Sequence, residues 1–290
     1  MVQSALVTGC AGFIGSHLCE TLLHKGWRVT GIDSFLDNYR QGLKRENLKP
    51  LMLQPGFEFV EGDLMRVPIK ELIENKDCIF HQAGQPGVRG SWGSRFGSYV
   101  ANNIIATQRL LEAAKDTNIK KFVFASTSSV YGNTGVLPTG EEQLPKPFSP
   151  YGVTKLAAEN LCGLYYMNYG VPVVSLRYFT VYGPRQRPDM AISSFIRSIL
   201  GGEAIMVYGD GKQKRDFTYV EDIVNANILV AEGTVGGEVF NVGSGRPVEV
   251  MEVIRILEEI SGERARIEFV PSQRGDVRDT WADTKKISEA

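Results

Sequence analysis

Apolar residues gather in short runs along the first 180 positions, at 5–7, 29–32, 57–60, 78–80, 122–125 and 171–176. Runs this short, without strict alternation, read as parallel strands buried on both faces. Between them, segments 12–25, 99–117 and 151–169 carry apolar residues at helical spacing. Strand alternating with helix predicts a doubly wound α/β fold built on a parallel sheet.

After Tyr182 the pattern changes. Gly183-Pro184-Arg185-Gln186-Arg187-Pro188 reads as a loop, followed by an amphipathic helix from about Ala191 and a short strand at 204–208. The chain therefore divides into a first domain over 1–180 and a smaller mixed α/β domain over 181–290. Runs 217–220 and 239–242 are again strand-like, and periodicity leaves open whether segments near 215–245 return to the main sheet. The last residues, Ile287-Ser288-Glu289-Ala290, resemble a helix without a C-cap, so the natural chain is expected to continue.

Composition narrows the partners. A chain of 290 residues with 43% apolar content can bury a large core. Its formal net charge of −1 provides no long-range attraction to nucleic acid or an anionic membrane, so an anionic ligand must be held by local arginines. Cys10, Cys19, Cys78 and Cys162 lack metal-ligand spacing and read as buried free thiols, which implies no metal and a reducing, cytoplasmic setting. No stretch approaches the ~18 apolar residues of a membrane span.

The first strand runs into Gly9-Cys10-Ala11-Gly12-Phe13-Ile14-Gly15, and a helix follows at once. Glycines permit a tight turn and close approach, and the helix N-terminus offers free N–H groups to a pyrophosphate. Asp33 ends the next strand, eighteen residues beyond Gly15, where a carboxylate can accept both ribose hydroxyls and repel a 2′-phosphate. This is a Rossmann-type dinucleotide site that favours NAD. Asp63 is a candidate for the adenine amino group, or a turn residue.

The strand at 121–125 ends in Ser126-Thr127-Ser128-Ser129-Val130-Tyr131-Gly132, a hydroxyl cluster at the sheet edge where such folds bind ligands. Tyr151 and Lys155 open a helix four residues apart and so share a face. A tyrosine of pKa ~10 is a poor base, but Lys155 and a positive nicotinamide are expected to favour its phenolate. The pair reads as a proton-transfer unit acting on a sugar hydroxyl, with a surface stack as the bland alternative.

Gly9-x-x-Gly12-x-x-Gly15, His81-Gln82-Ala83-Gly84, the Ser/Thr cluster, Tyr151-x-x-x-Lys155 and Arg177-Tyr178-Phe179 together resemble the extended short-chain dehydrogenase/reductase family over essentially the whole chain. The resemblance implies that Tyr151 is the base, Lys155 binds the nicotinamide ribose, and Thr127 holds the reacting hydroxyl. It also implies that Gly9, Gly12, Phe13, Ile14, Gly15, Asp33, Asp63, Leu64, Gln82, Ala83, Gly84, Asn103, Ser126, Tyr151, Lys155 and Tyr178 surround NAD.

Dehydratases of that family resemble Thr-Asp-Glu-Val-Tyr-Gly and decarboxylases Thr-Ser-Glu-Val-Tyr-Gly, whereas this chain has Thr127-Ser128-Ser129. Without those acids, the remaining chemistry is oxidation and return of the hydride. Gln85-Pro86-Gly87-Val88-Arg89 and the stretch from Arg177 to Pro184, followed by Arg187-Pro188-Asp189-Met190-Ala191, are similar to UDP-glucuronate 4-epimerases. Thr180 stands where UDP-glucose epimerases commonly carry Asn.

Arg89 and Arg187 are candidates for a substrate carboxylate or diphosphate. Arg215 matches the family's diphosphate arginine more closely. Gln273 replaces a second one, for which Arg278 is the candidate substitute. The expected function is NAD-dependent 4-epimerisation of UDP-glucuronate through a 4-keto sugar without decarboxylation, with Thr127, Ser128 and Ser129 at the reacting sugar. Alternatives are a UDP-glucose or UDP-N-acetylglucosamine epimerase, a UDP-glucuronate decarboxylase, or a non-catalytic NAD-binding sensor. The resemblance further implies a homodimer joined through the helices at 99–117 and 151–169.

Overall fold

The computed structural model describes residues 2–290. Its strands are β1 (Ser4–Thr8), β2 (Arg28–Asp33), β3 (Phe57–Glu61), β4 (Cys78–His81), β5 (Lys121–Thr127) and β6 (Val173–Tyr178). Beyond these come β7 (Thr180–Tyr182), β8 (Ala204–Tyr208), β9 (Lys214–Tyr219), β10 (Glu238–Val242), β11 (Pro247–Glu249) and β12 (Arg266–Val270). Seven of them form one sheet in the order β10-β6-β5-β4-β1-β2-β3. Every pairing in it is parallel.

Two apolar layers explain why the strand sequences are nearly continuous hydrophobic runs. One face of the sheet is covered by helices Phe13–His24 and Val220–Glu232, the other by Ala106–Ala114 and Pro150–Tyr169. Phe80, Phe122 and Phe124 are fully buried between these layers, each contributing roughly 1.5–3 kcal/mol. The expectation of strands buried on both faces holds for the centre but not for β3. This is one of the two edge strands, and Glu58 and Glu61 are exposed on it.

The helix expected over 99–117 begins earlier, at Phe96, and ends at Ala114. Its middle, Val100–Ile105, is a π-helical turn. Such turns are common beside functional sites. This one aims Asn103 at the loop after β4.

The two segments left open by periodicity go to different places. Strand β10 pairs with β6 and extends the main sheet, and the helix Val220–Glu232 packs on that sheet. Strand β9 instead joins β7 and β11 in a separate three-stranded sheet. Beyond it, helices Ala191–Gly201 and Val250–Ser261 close over the pair β8–β12 around Phe195, Ile199, Ile205, Val207 and Ile254. The four cysteines are buried and free. No helix among the described residues is long and apolar enough to cross a membrane.

Strand order reverses between β1 and β4, so the crevice outside their carboxyl ends is the topological switch point where such sheets bind ligands. The second sheet and the pair β8–β12 wall the other side of that crevice.

Candidate active site

A cleft of about 850 Å³ runs along the carboxyl edge of the sheet. At one end lies the glycine turn. Gly9 has φ +71°, a left-handed conformation, and a Cβ on Gly15 would come within 2.1 Å of the Gly9 carbonyl oxygen. The helix Phe13–His24 starts at Gly12 with no side-chain cap, which leaves its first N–H groups facing the cleft. Gly9, Gly12, Phe13, Ile14, Gly15, Asp33, Asp63, Leu64, Gln82, Ala83, Gly84, Asn103 and Ser126 all line this space.

Several of these side chains are already committed to the protein. Asp33 accepts from the Ala11 N–H (3.1 Å) and the Phe35 N–H (2.8 Å), and burial pushes its pKa up. Asp63 accepts from the Met65 N–H at 2.9 Å, the turn role that the sequence left open. Asn103 is 1% exposed and spends its amide on Gln85 N (2.7 Å), Gln85 O (3.1 Å) and Thr154 Oγ1 (2.9 Å). It shapes the loop after β4. The Ser126 hydroxyl turns beneath the cleft and donates to Glu159 at 2.5 Å. Tyr178 lines the cleft through its ring, with its hydroxyl held by Asn227 (2.7 Å) and Gln82 (3.2 Å).

A dinucleotide fits this end of the cleft. The glycine cradle is a space that a Cβ would fill, and two buried polar atoms beside it, Asn38 Oδ1 and Tyr39 Oη, have no partner among the described residues. Lys155 is 6% exposed, sits 4.2 Å over the Phe124 ring and donates to no protein oxygen among the described residues. Burial lowers its pKa to about 8. A desolvated ammonium without an acceptor is costly, and a ribose diol would satisfy it.

Tyr151 opens the helix Pro150–Tyr169, where Ser149 caps by accepting from the Gly152 N–H at 3.1 Å and Pro150 occupies the first turn. Gly152 is required there because a Cβ would approach the Ser129 carbonyl oxygen to 2.6 Å. This close contact brings Tyr151 against the Ser/Thr cluster. Burial raises the phenol's pKa, while the Thr127 hydroxyl and the Arg187 charge pull it down. The cation opposing burial at Tyr151 is Arg187, because one helical turn sets Lys155 deeper, against the sheet. Thr127 is 8% exposed and its oxygen accepts from Ser129 N at 3.2 Å. The Ser128 and Ser129 hydroxyls line the cleft without protein partners among the described residues.

The arginines separate into distinct environments. Arg187 faces the cleft and pairs with Asp189 at 2.6 Å. Arg89 stacks 3.8 Å over Tyr208 and pairs with Asp276 at 2.8 Å. Arg215 lines the cleft and donates to the carbonyls of Lys214, Val277 and Arg278. Arg278 does not line the cleft. Its guanidinium pairs with Asp210 at 2.9 Å, so only its backbone carbonyl, which accepts from Arg215, contributes. Thr180 lines the cleft from β7.

Sequence reasoning missed Asn38, Tyr39 and Lys44, all on the cleft wall after Asp33, where no periodicity marks them. It also missed a buried ion pair under the site. Glu159, one turn beyond Lys155, receives Arg177 Nη2 at 2.6 Å, and Arg177 Nη1 donates to Tyr131 at 2.7 Å. The Tyr131 hydroxyl in turn donates to Asn241 on β10 at 2.7 Å. Its one legible signal was Arg177, already noted beside Tyr178.

A model of the NAD dependent epimerase/dehydratase family matches residues 5–243. An uncharacterized UDP-glucose epimerase of Bacillus subtilis, YtcB, is 46% identical over 286 residues, 98% of this chain and 90% of its own. UDP-glucuronate 4-epimerase of Thermodesulfobacterium geofontis is 41% identical over 290 residues, 98% of this chain and 88% of its own. A crystal structure of UDP-glucuronic acid 4-epimerase from Bacillus cereus, in complex with UDP-glucuronic acid and NAD, has a TM-score of 0.96 at 45% identity. That match covers 99% of this chain and 92% of the other. Since the family model spans most of the chain and these relatives run along nearly its whole length, the protein belongs to the NAD-dependent epimerase/dehydratase family.

Proposed function

We propose that this protein converts UDP-glucuronate to UDP-galacturonate by oxidation and re-reduction at C4. The observation that carries this reading is the meeting of Tyr151, Thr127 and Arg187 in the cleft, with Ser128 and Ser129, rather than acids, beside Thr127. NAD+ supplies the hydride acceptor and, once reduced, the donor. Gly9, Gly12 and Gly15 cradle its diphosphate, Asp33 takes the ribose hydroxyls, and Lys155 holds the nicotinamide ribose. Tyr151 removes the C4 hydroxyl proton while Thr127 orients that hydroxyl, and Arg215 with Arg89 neutralises the diphosphate. The sugar turns in the site and receives the hydride on its other face.

The 4-keto uronate is a β-keto acid and loses CO2 when its C5–carboxylate bond aligns with the carbonyl π system. Hydroxyls of Thr127, Ser128, Ser129 and Thr180, with Arg187, hold the carboxylate away from that alignment. Replacing Ser128 and Ser129 together by Ala is therefore expected to release UDP-pentose alongside UDP-galacturonate. The test is product analysis by NMR after incubating the parent and the double variant with a panel of UDP-sugars. A parent that leaves UDP-glucuronate untouched overturns the substrate assignment. A double variant that epimerises without any pentose overturns the role of the serines.

A second reading, epimerisation of UDP-glucose, is favoured by the pairing of Arg187 with Asp189, which leaves no net charge for a neutral sugar to face. The same panel separates the two. The protein is also proposed to act as a homodimer. Ile105 (41% exposed), Val153 (49%) and Leu164 (48%) lie on the helices expected to pair, and burying such residues across a two-fold axis stabilises a four-helix interface. Sedimentation at micromolar concentration is expected to give a dimer, and a monomer there rejects it.

A further inference from the structure

We propose that Asp189 sets the discrimination between acidic and neutral sugars by sharing Arg187 with the substrate. The inference rests on Arg187 as the partner of a substrate carboxylate. Arg187 donates from Nε to Asp189 Oδ1 at 3.0 Å and from Nη2 to Asp189 Oδ2 at 2.6 Å, a side-on fork. Nη1 has no protein acceptor among the described residues. The two side chains differ in depth: Arg187 is 16% exposed and Asp189 56%.

The pair cannot simply swing apart, because its loop is pinned at several points. Arg185, at φ +63°, clamps Glu20 on the helix Phe13–His24 with contacts of 2.7 and 2.9 Å. Gln186 bridges the Val181 carbonyl (2.9 Å) and the Ser193 N–H (3.0 Å), and Arg197 donates to the Pro188 carbonyl at 3.3 Å. Arg187 is thus held with one edge on Asp189 and another free.

That arrangement has opposite consequences for the two sugar classes. With a neutral sugar, Asp189 keeps a largely buried guanidinium compensated, sparing the cost of an unpaired charge. With a uronate, the substrate carboxylate adds at the free edge and shares one cation with Asp189, so repulsion between the carboxylates loosens the hold. A loosened hold suits a sugar that must turn between oxidation and reduction. Asp189 therefore tempers acid affinity and tolerates neutral sugars.

The test is calorimetric binding of UDP-glucuronate and UDP-glucose to NAD-loaded protein, in a Tyr151→Phe background so that no turnover intervenes. Asp189→Asn keeps shape and one acceptor but removes the charge. We expect the Kd for UDP-glucuronate to fall about fivefold, the scale of a partly exposed ion pair, and that for UDP-glucose to hold or rise. Asp189→Ser, equally uncharged and half-exposed, is expected to move the ratio the same way and serves if the Asn variant misfolds. Equal weakening of both ligands, or a ratio that stays put or moves toward the neutral sugar, assigns Asp189 to loop structure alone and overturns the inference. A protein with native Asp189 that binds UDP-glucose but shows no measurable binding of UDP-glucuronate instead overturns the uronate reading, and this inference falls with it.

Discussion

Tyr151→Phe is expected to lower turnover by roughly 100-fold to 10,000-fold, the range spanned by a single general base, while NAD stays bound. The half-buried phenol lines the cleft, with the Thr127 hydroxyl and the Arg187 charge opposing the rise in pKa that burial causes. Removing one oxygen leaves ring packing intact, including the edge-to-face contact with Tyr99 at 6.3 Å. Folding and cofactor retention are therefore expected to change little. The check is a pair of measurements on one preparation: NAD released on denaturation, and epimerisation followed by NMR. A variant that keeps NAD and also keeps a near-parental rate shows that another group takes the proton. One that loses both reports a structural defect, and sugar-nucleotide binding to cofactor-reloaded protein then separates site damage from lost chemistry.

Glu159→Ala is expected to produce the largest loss of stability. Glu159 and Arg177 are about 5% exposed, joined by contacts of 2.6, 3.1 and 3.2 Å, and Ser126 adds a third donor to the same carboxylate. Removing the carboxylate strands a buried guanidinium, which costs about 3–5 kcal/mol. For a chain of this size that corresponds to a fall in Tm on the order of 10 °C at fixed NAD concentration. Activity is expected to fall too, because Ser126 precedes Thr127 and Arg177 holds Tyr131 behind it. Replacing the pair together, Glu159→Leu with Arg177→Met, removes both charges and is expected to recover much of the melting temperature but not the activity. A single variant that melts within a degree or two of the parent shows that water reaches the pair and that the network is not the keystone proposed.

The glycine turn, the strand and helix runs, Asp33, the hydroxyl cluster and the Tyr151–Lys155 spacing were all legible in the chain because each is a local pattern. A left-handed turn demands glycine, a helix repeats every 3.6 residues, and a buried strand is continuously apolar, so neighbours in sequence suffice to reveal them. The return of β10 to the main sheet, and the diversion of β9 to another, were not local. Runs 217–220 and 239–242 look alike, and only their partners distinguish them.

The same limit governed the site. Arg89, Arg187, Arg215 and Arg278 are equivalent as letters, yet Arg278 is captured by Asp210 outside the cleft, while Arg187 comes to rest between Asp189 and Tyr151. Lys155 was placed on the right helical face, but its depth against Phe124 depended on how closely Gly152 lets that helix approach Ser129. Asn103, Ser126, Glu159 and Arg177 owe their roles to partners 18 to 51 residues away. Short-range backbone preference writes the elements into the sequence. Which charges are buried, paired or left free is decided by packing between distant segments, because desolvation and Coulomb energies depend on three-dimensional surroundings that no spacing along the chain encodes.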